Sequence, residues 1–166
     1  MVDDGSQPAF LCDAMLGGLA RWLRAAGYDA DWEYGIDDGE LVVRAERSRR
    51  VLLSCDGAIF ERNVVKDGRV KALFIPHGLD KFAQLRFVMG KLGLSLRRPR
   101  CMACGGELTE VPKHKIIDEA PPLAYRNCNR FWRCRRCGKL LWHGTHWHKI
   151  TRRLAEIENR KSEIEN

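Results

Sequence analysis

Two Cys-x-x-Cys pairs, Cys101/Cys104 and Cys134/Cys137, constrain the fold of this chain more than any other feature, and a glycine follows each pair. A tight turn inside such a pair directs both thiolates to one point, and two pairs supply the four sulfur ligands of a tetrahedral zinc site. Four cysteine ligands leave no position for water, so the predicted role is structural. The alternatives are a redox dithiol or buried thiols, but a redox motif needs one pair and normally follows the first strand of a thioredoxin-like unit.

Length and composition predict one ordinary domain, or a small domain with a smaller appendage, because the chain has 166 residues and a mass of 19.1 kDa. Hydrophobic residues make up 45% and charged residues 31%, which is typical of a soluble globular protein. No run approaches the roughly 18 to 20 apolar residues of a membrane span. Asp3 and Asp4 stand where a secretory leader carries Lys or Arg, so we expect a cytoplasmic protein.

The other cysteines are expected to be thiols, since the total of seven is odd and the cytosol keeps thiols reduced. Cys12, Cys55 and Cys128 are interpreted as core or incidental thiols, and Cys128 lies close enough in sequence to compete as a zinc ligand. Three histidines could suit a second metal site, but we favour packing, hydrogen bonding or phosphate contact and do not assign them as ligands: His143, His146 and His148.

Residues 9–98 alternate short apolar runs with stretches of helical period. Strands are predicted at 9–12, 29–34, 50–54 and 70–75, and helices at 15–26, from residue 38, and at 81–92. This alternation predicts an α/β module with a parallel sheet flanked by helices.

The composition changes after Arg98, and residues 99–150 are predicted to form a small zinc ribbon. Pro121 and Pro122 interrupt this region, and its apolar runs are too short to predict a core of its own. Residues 151–166 are predicted to form a polar C-terminal helix or tail.

Three acidic residues occupy positions where ligands bind in α/β sheets: Asp13 and Asp56 follow predicted strands, and Asp38 opens a predicted helix. Carboxylates in one crevice repel each other unless a divalent cation joins them, and oxygen-only ligation selects Mg²⁺ or Mn²⁺. This donor set suits metal-assisted hydrolysis of a phosphodiester. The alternative is local: Asp38 only caps its helix, and Asp13 only ends its strand.

Positive charge is concentrated in the second part, since residues 99–166 hold 14 Lys and Arg against 8 Asp and Glu and so carry 6 of the 7 net charges. Cations attract the phosphate backbone, and exposed rings stack on unpaired bases. RNA is therefore the predicted partner. Trp142 and Trp147 stack on bases unless they are needed for packing, but the excess of positive charge predicts nucleic-acid contact in either case. Six basic residues are candidate RNA contacts: Arg130, Arg133, Arg135, Arg136, Lys139 and Lys149.

Several runs resemble the Mut-seven carboxy-terminal RNase family: FLCDAMLGGLARWLRAAGYDA, DDGELVVRA, RVLLSCD and FWRC-x-x-CG. The resemblance covers roughly residues 9–150 and implies a PIN-like nuclease domain (9–98) with an attached zinc ribbon. It implies that Asp13, Asp38 and Asp56 are the acidic catalytic residues. Asp37 or Glu40 would share the second position, and Ser54 would position a carboxylate or water.

PIN-like nucleases commonly use a fourth acid, for which Glu61, Asp67 and Asp80 are the candidates here. Arg21 and Arg24 are spaced to share one face of the first helix, where they would meet the RNA backbone or simply form a solvated surface.

Together these features predict a metal-dependent ribonuclease with a basic zinc ribbon that binds substrate. The alternative is a non-catalytic RNA-binding or ribosome-associated module. A third possibility, a nuclease held inactive by a protein inhibitor, has the same sequence signature as the metal-dependent ribonuclease.

Overall fold

The computed structural model describes residues 7–164, and the side chains of residues 7–158. The strands are β1 (Phe10–Cys12), β2 (Ala30–Trp32), β3 (Val51–Ser54), β4 (Ala72–Phe74), β5 (Leu108–Val111), β6 (Phe131–Cys134) and β7 (Leu140–Trp142). The α-helices are α1 (Gly17–Ala25), α2 (Asp38–Ser48), α3 (Gly57–Phe60), α4 (Asn63–Lys66), α5 (Lys81–Lys91), α6 (Pro122–Asn127) and α7 (Thr145–Ile164).

The first module is built on four parallel strands in the order β2-β1-β3-β4. Alternate residues of β1 enter opposite layers, since Phe10 and Cys12 belong to one buried cluster and Leu11 to another. Helices α1, α5 and α7 cover the first face, and α2 and α3 cover the second. The α/β prediction is therefore confirmed. Because β1 lies between β2 and β3, the residues that follow these strands meet at one edge of the sheet.

Helix α1 buries Leu19, Ala20 and Leu23, as its period predicts. It stops before Gly27, whose φ of +100° is readily available only to glycine. The helix predicted from residue 15 begins later: Met15 is 86% exposed, because it belongs to a short 3-10 turn before α1.

The second module is an antiparallel sheet in the order β5-β6-β7. One face carries Phe131 and Trp142, and the connection between β5 and β6, which includes α6, folds over that face. The prediction that this module has no core of its own is wrong, since it buries a small apolar cluster: Ile116, Ala120, Ala124, Cys128 and Phe131.

Helix α7 begins at Thr145; its first turn contacts the ribbon through Trp147, and its later residues pack against the first module. Its residues Ile150, Leu154 and Ile157 are each 5% exposed and join the cluster that α1 and α5 cover. Residues 165 and 166 of the predicted tail lie outside the described part. Within residues 7–164, the helices lack the combination of length and apolar character that crossing a membrane requires.

Candidate functional site

Asp13 follows β1 directly and is nearly buried, with 7% of its surface exposed. Its Oδ1 accepts a hydrogen bond from the backbone N–H of Met15 at 2.9 Å, which caps the 3-10 turn. Its Oδ2 accepts from the hydroxyl of Ser54 at 2.5 Å and from the N–H of Cys55 at 3.2 Å. Three donors from two chain segments therefore hold this carboxylate in one orientation at the edge of the sheet.

Ser54 connects Asp13 to Asp56. The serine side chain is fully buried at the end of β3, and its oxygen accepts a hydrogen bond from the N–H of Asp56 at 2.9 Å while its proton is donated to Asp13. Asp56 is exposed, and its Oδ1 caps α3 by accepting from the N–H of Ala58 at 2.8 Å. The two aspartates that follow adjacent strands are thus joined through a single hydroxyl.

The acidic turn after β2 places the N-cap of α2 one residue earlier than the sequence predicts. Asp37, not Asp38, is the N-cap of α2, because its Oδ1 accepts from the N–H groups of Gly39 and Glu40 at 2.9 and 3.0 Å. Asp38 is the first residue of the helix and is half-buried. Glu40 lies 3.6 Å from Arg44 in an exposed ion pair.

Asp13 and Asp56 thus follow the neighbouring strands β1 and β3, whereas Asp38 opens the helix that comes after β2, the strand on the other side of β1. They do not form a compact set of ligands. Within the described part of the chain, the cysteines Cys101, Cys104, Cys134 and Cys137 are the one group of three or more metal-ligating side chains close enough to share an ion.

The candidate fourth acids occupy different places. Asp80 follows β4, the next strand along the edge, and its Oδ1 caps α5 at 2.8 Å from the N–H groups of Phe82 and Ala83. The hydrogen bonds from Ala83 and Phe82 hold the pKa of Asp80 below its ordinary value. Glu61 pairs with Lys66 at 2.6 Å, and Asp67 is exposed where α4 ends.

The four cysteine sulfurs of the ribbon lie within 4.8 Å of one another. The Sγ atoms of Cys101 and Cys137 are 3.8 Å apart, and those of Cys104 and Cys134 are 3.4 Å apart. Zn–S bonds of about 2.3 Å in a tetrahedron place sulfurs about 3.8 Å apart. The cluster therefore has the ligand set and spacing of a zinc site.

Backbone geometry around the sulfurs supports this. The N–H groups of Arg136 and Cys137 point at the Sγ of Cys134 at 3.3 and 3.5 Å. Burial raises the pKa of Cys134, but these hydrogen bonds outweigh it and lower the pKa below the usual thiol value. Gly106 must lack a side chain, because a Cβ there would lie 2.6 Å from the same sulfur.

The remaining cysteines are not ligands of this cluster. Cys12 is buried under the parallel sheet, where desolvation raises its pKa far above the usual range. Cys55 is half-buried beside Asp13. Cys128 does not compete as a ligand, since it lies in the ribbon core with its thiol 3.6 Å from the carbonyl of His143.

The sequence model of the Mut7-C RNAse domain matches residues 8–154, which is most of the chain. The chain belongs to the Mut7-C RNAse domain family. This membership indicates a ribonuclease-type function, and it confirms the resemblance seen in the sequence motifs. No curated protein and no solved structure matches the chain.

The spacing of Arg21 and Arg24 predicts that both lie on one exposed face of α1, but in this Mut7-C RNAse domain Arg24 is buried. It is 5% exposed, and its guanidinium donates to the carbonyls of Ala30 at 2.7 Å, Met102 at 3.1 Å and Ala103 at 2.9 Å. The residue therefore joins the parallel sheet to the first zinc knuckle, and it is not available to RNA. Sequence spacing contains no signal of this role, because two of its partners lie far along the chain.

Asp29 makes a second link between the modules. Its Oδ2 lies 2.8 Å from Arg50 and 3.5 Å from Arg136 of the ribbon. Burial would raise the pKa of Asp29, but the hydrogen bond and charge of Arg50, with the charges of Arg136 and Arg100, hold the pKa below its ordinary value.

Glutamates in and around β5 form ion pairs with arginines of β6 and its flanking residues, and these pairs neutralise part of the positive charge of the ribbon in this Mut7-C RNAse domain. Arg130 pairs with Glu110, Arg133 with Glu119 and Arg135 with Glu107. Arg136 donates to the Cys104 carbonyl at 2.7 Å. Lys139 and Lys149 are exposed and form no ion pair with the described side chains.

Proposed function

We propose that the chain is a metal-dependent ribonuclease that hydrolyses RNA phosphodiester bonds at an Mg²⁺ or Mn²⁺ site built on Asp13, Asp38 and Asp56, while the basic zinc ribbon binds the substrate. The observation that supports this most directly is the hydrogen-bonded chain from Asp13 through Ser54 to Asp56. The buried hydroxyl orients the Asp13 carboxylate and holds the backbone of Asp56 at the end of the next strand, the edge at which parallel α/β sheets bind ligands, and this supports the proposal.

The donor chemistry fits a hard divalent cation. Within the described part of the chain, no hydrogen-bond donor reaches Oδ2 of Asp56 or either carboxylate oxygen of Asp38, so their lone pairs are free. Mg²⁺ keeps several waters and is often held by one or two carboxylates together with substrate phosphates. Asp13 with Asp56 would satisfy that requirement without a compact three-carboxylate set.

When bound, the cation supplies Lewis-acid activation of water and of the phosphodiester. The chain's own residues do the positioning. Ser54 and the N–H of Cys55 hold the Asp13 carboxylate in place. Asp38 would line the opposite side of the crevice from Asp56, since the strands they follow flank β1. Three uncompensated carboxylates would repel a phosphate, which is why cleavage should require the cation.

Zinc has a different role in this proposal. Cys101, Cys104, Cys134 and Cys137 would hold it in a closed four-sulfur site, which stabilises the ribbon and offers no open position to a substrate. The ribbon then carries its exposed lysines and aromatic rings to the RNA.

The proposal is tested by cleavage of a labelled structured RNA by purified protein with Mg²⁺ or Mn²⁺. Asp56→Asn is the informative variant, because asparagine caps a helix as well as aspartate and removes only the charge. We expect its cleavage rate to fall about 100-fold or more, since metal ions contribute several kcal/mol to such transition states. Asp118→Asn, an exposed aspartate of the second module, is the matched control and should cut at the parent rate.

Equal cleavage by the parent and Asp56→Asn would contradict the carboxylate site. A second candidate function, RNA binding or ribosome association without cleavage, is favoured by the separation of the described carboxylates. It predicts that both proteins bind the RNA equally and that neither cuts it.

A further inference from the structure

A cavity of about 540 Å³ lies on the ribbon face opposite its small core. Trp132 and Leu141 are cross-strand partners on that face, whereas Phe131 and Trp142 form the neighbouring pair whose rings meet in the small core. Trp142 also lines the cavity. The cavity has the size of a small-molecule pocket, which is about 300 to 1,000 Å³. No residue of the proposed carboxylate site lines it.

One wall of the cavity is a stack of three aromatic rings. The His143 ring lies 4.0 Å from the Trp132 ring and 5.0 Å from the Trp147 ring, with interplanar angles of 29° and 13°. Burial, and secondarily the positive charge of Arg130, lowers the pKa of His143. Both faces of the His143 ring are covered, and Arg130 lies 5.1 Å from the centre of the Trp132 ring, so Trp147 is the ring of the stack that can offer a face to a base.

The rim of the cavity is cationic. Four arginines line it, against the single acid Glu107: Arg98, Arg100, Arg130 and Arg135. Arg98 is exposed and forms no ion pair within the described part of the chain. Arg130 and Arg135 pair with acids at exposed positions. The Arg135–Glu107 pair is 3.7 Å long and contributes little to stability, so a phosphate can displace Glu107. Arg130 is held more firmly, since it donates two hydrogen bonds to Glu110 at 2.8 and 2.9 Å.

We propose that this cavity binds an unpaired nucleotide of a single-stranded RNA segment, with the base on the Trp147 ring at the end of the Trp132, His143 and Trp147 stack and the adjoining phosphates at the arginine rim. The assignment deepens the proposed function, because the segment would belong to the substrate. A single strand offers one flat ring and one negative charge per residue, which matches a wall of rings bordered by guanidinium groups. A duplex keeps its bases stacked inside and cannot present one to the cavity.

Binding of a short oligouridylate tests the inference. Its affinity is compared, by fluorescence anisotropy of an end label, with that of the same chain carrying abasic riboses. Buffer without added divalent cation prevents cleavage, and no chelator is used, so that zinc stays bound. We expect the abasic chain to bind the parent protein about tenfold more weakly or worse, the range that stacking of a base contributes.

Three variants separate the wall from the rim. Trp147→Leu should bind the oligouridylate about as weakly as the parent protein binds the abasic chain. Trp147→Phe should recover most of the parent affinity, because it restores a ring. Arg98→Ala should weaken the binding of both chains. It should also make the slope of log affinity against log salt concentration less steep by about the amount that one phosphate contact contributes. Arg47→Ala, an exposed arginine on α2, is the matched charge control and should bind as the parent does.

Equal affinity of the parent for the normal and abasic chains would overturn the proposal. So would equal losses in Arg98→Ala and Arg47→Ala, a comparison that stays valid if Trp147→Leu fails to fold. The two proposals fail separately, because the abasic comparison measures the cavity and the cleavage assay measures the carboxylate site: a parent protein that cuts RNA but binds both chains equally overturns only the cavity, and one that prefers the normal chain but does not cut overturns only the carboxylate site.

Discussion

The buried guanidinium of Arg24 lies 2.9 Å from the carbonyl oxygen of Ala103, and this contact joins the first helix of the α/β module to the turn between Cys101 and Cys104. The same side chain also donates to the carbonyls of Ala30 and Met102. Arg24 therefore couples the position of this turn to the parallel sheet, while each module keeps its own buried cluster.

Arg24→Ala should lower the free energy of unfolding by about 3 kcal/mol or more, because it leaves buried carbonyls without donors. Chemical denaturation followed by circular dichroism measures this. Arg21→Ala is a matched control on the same helix, since Arg21 is exposed, and it should change stability by less than about 0.5 kcal/mol. Similar effects of the two substitutions would contradict the coupling.

Removal of zinc by a chelator, or Cys134→Ser, should unfold the ribbon and leave most of the parallel sheet and its helices folded. Trp132 and Trp142 lie in the ribbon, so tryptophan fluorescence should change strongly while most far-ultraviolet dichroism is retained. Unchanged fluorescence after the metal content has fallen to zero would show that the four sulfurs do not support the ribbon.

Ser54→Ala should destabilise the protein by about 1 to 3 kcal/mol, because Asp13 loses one of its donors and the N–H of Asp56 loses its acceptor. It should also slow RNA cleavage, since the Asp13 carboxylate is no longer fixed. Ser48→Ala is the comparison, because the Ser48 hydroxyl donates to a carbonyl on an exposed helix end. If Ser54→Ala cleaves RNA at the parent rate, the Ser54 hydroxyl does not contribute to the catalytic site.

The ion pairs of Asp29 predict a pH dependence. The pKa of this carboxyl in the folded protein is below its ordinary value of 3.8, so its contribution to stability is complete above 3.8 and is lost as the pH falls through the folded value. Acid unfolding of Asp29→Asn should therefore show a shallower decline of stability below pH 3.8 than the parent. Asp118→Asn should keep the parent profile, and identical profiles for all three proteins would contradict the assignment.

Local features of the chain were predictable because their physical cause is local. The helical period of α1, the glycine stop at Gly27 and the paired cysteines depend on residues a few positions apart. The N-cap of α2 was misplaced by one residue, because Asp37 and Asp38 are both good caps and backbone geometry alone selects Asp37.

Long-range features were not predictable from patterns. Glu107, Glu110 and Glu119 precede the basic stretch in sequence, yet strand pairing brings them onto its arginines, and the free positive charge is smaller than the sequence predicts. The aromatic wall around His143 likewise requires β6, β7 and the start of α7 to meet in space.

The sequence by itself determined the α/β alternation, the two cysteine pairs that could hold a metal and the aspartates that follow β1 and β3, because period and spacing are properties of short segments. Tertiary structure alone decided that Arg24 is buried between the modules, that α7 closes over the first module, and that Ser54 joins Asp13 to Asp56. The physical reason is that burial and hydrogen bonding between distant segments depend on how layers pack, and no single segment contains that information.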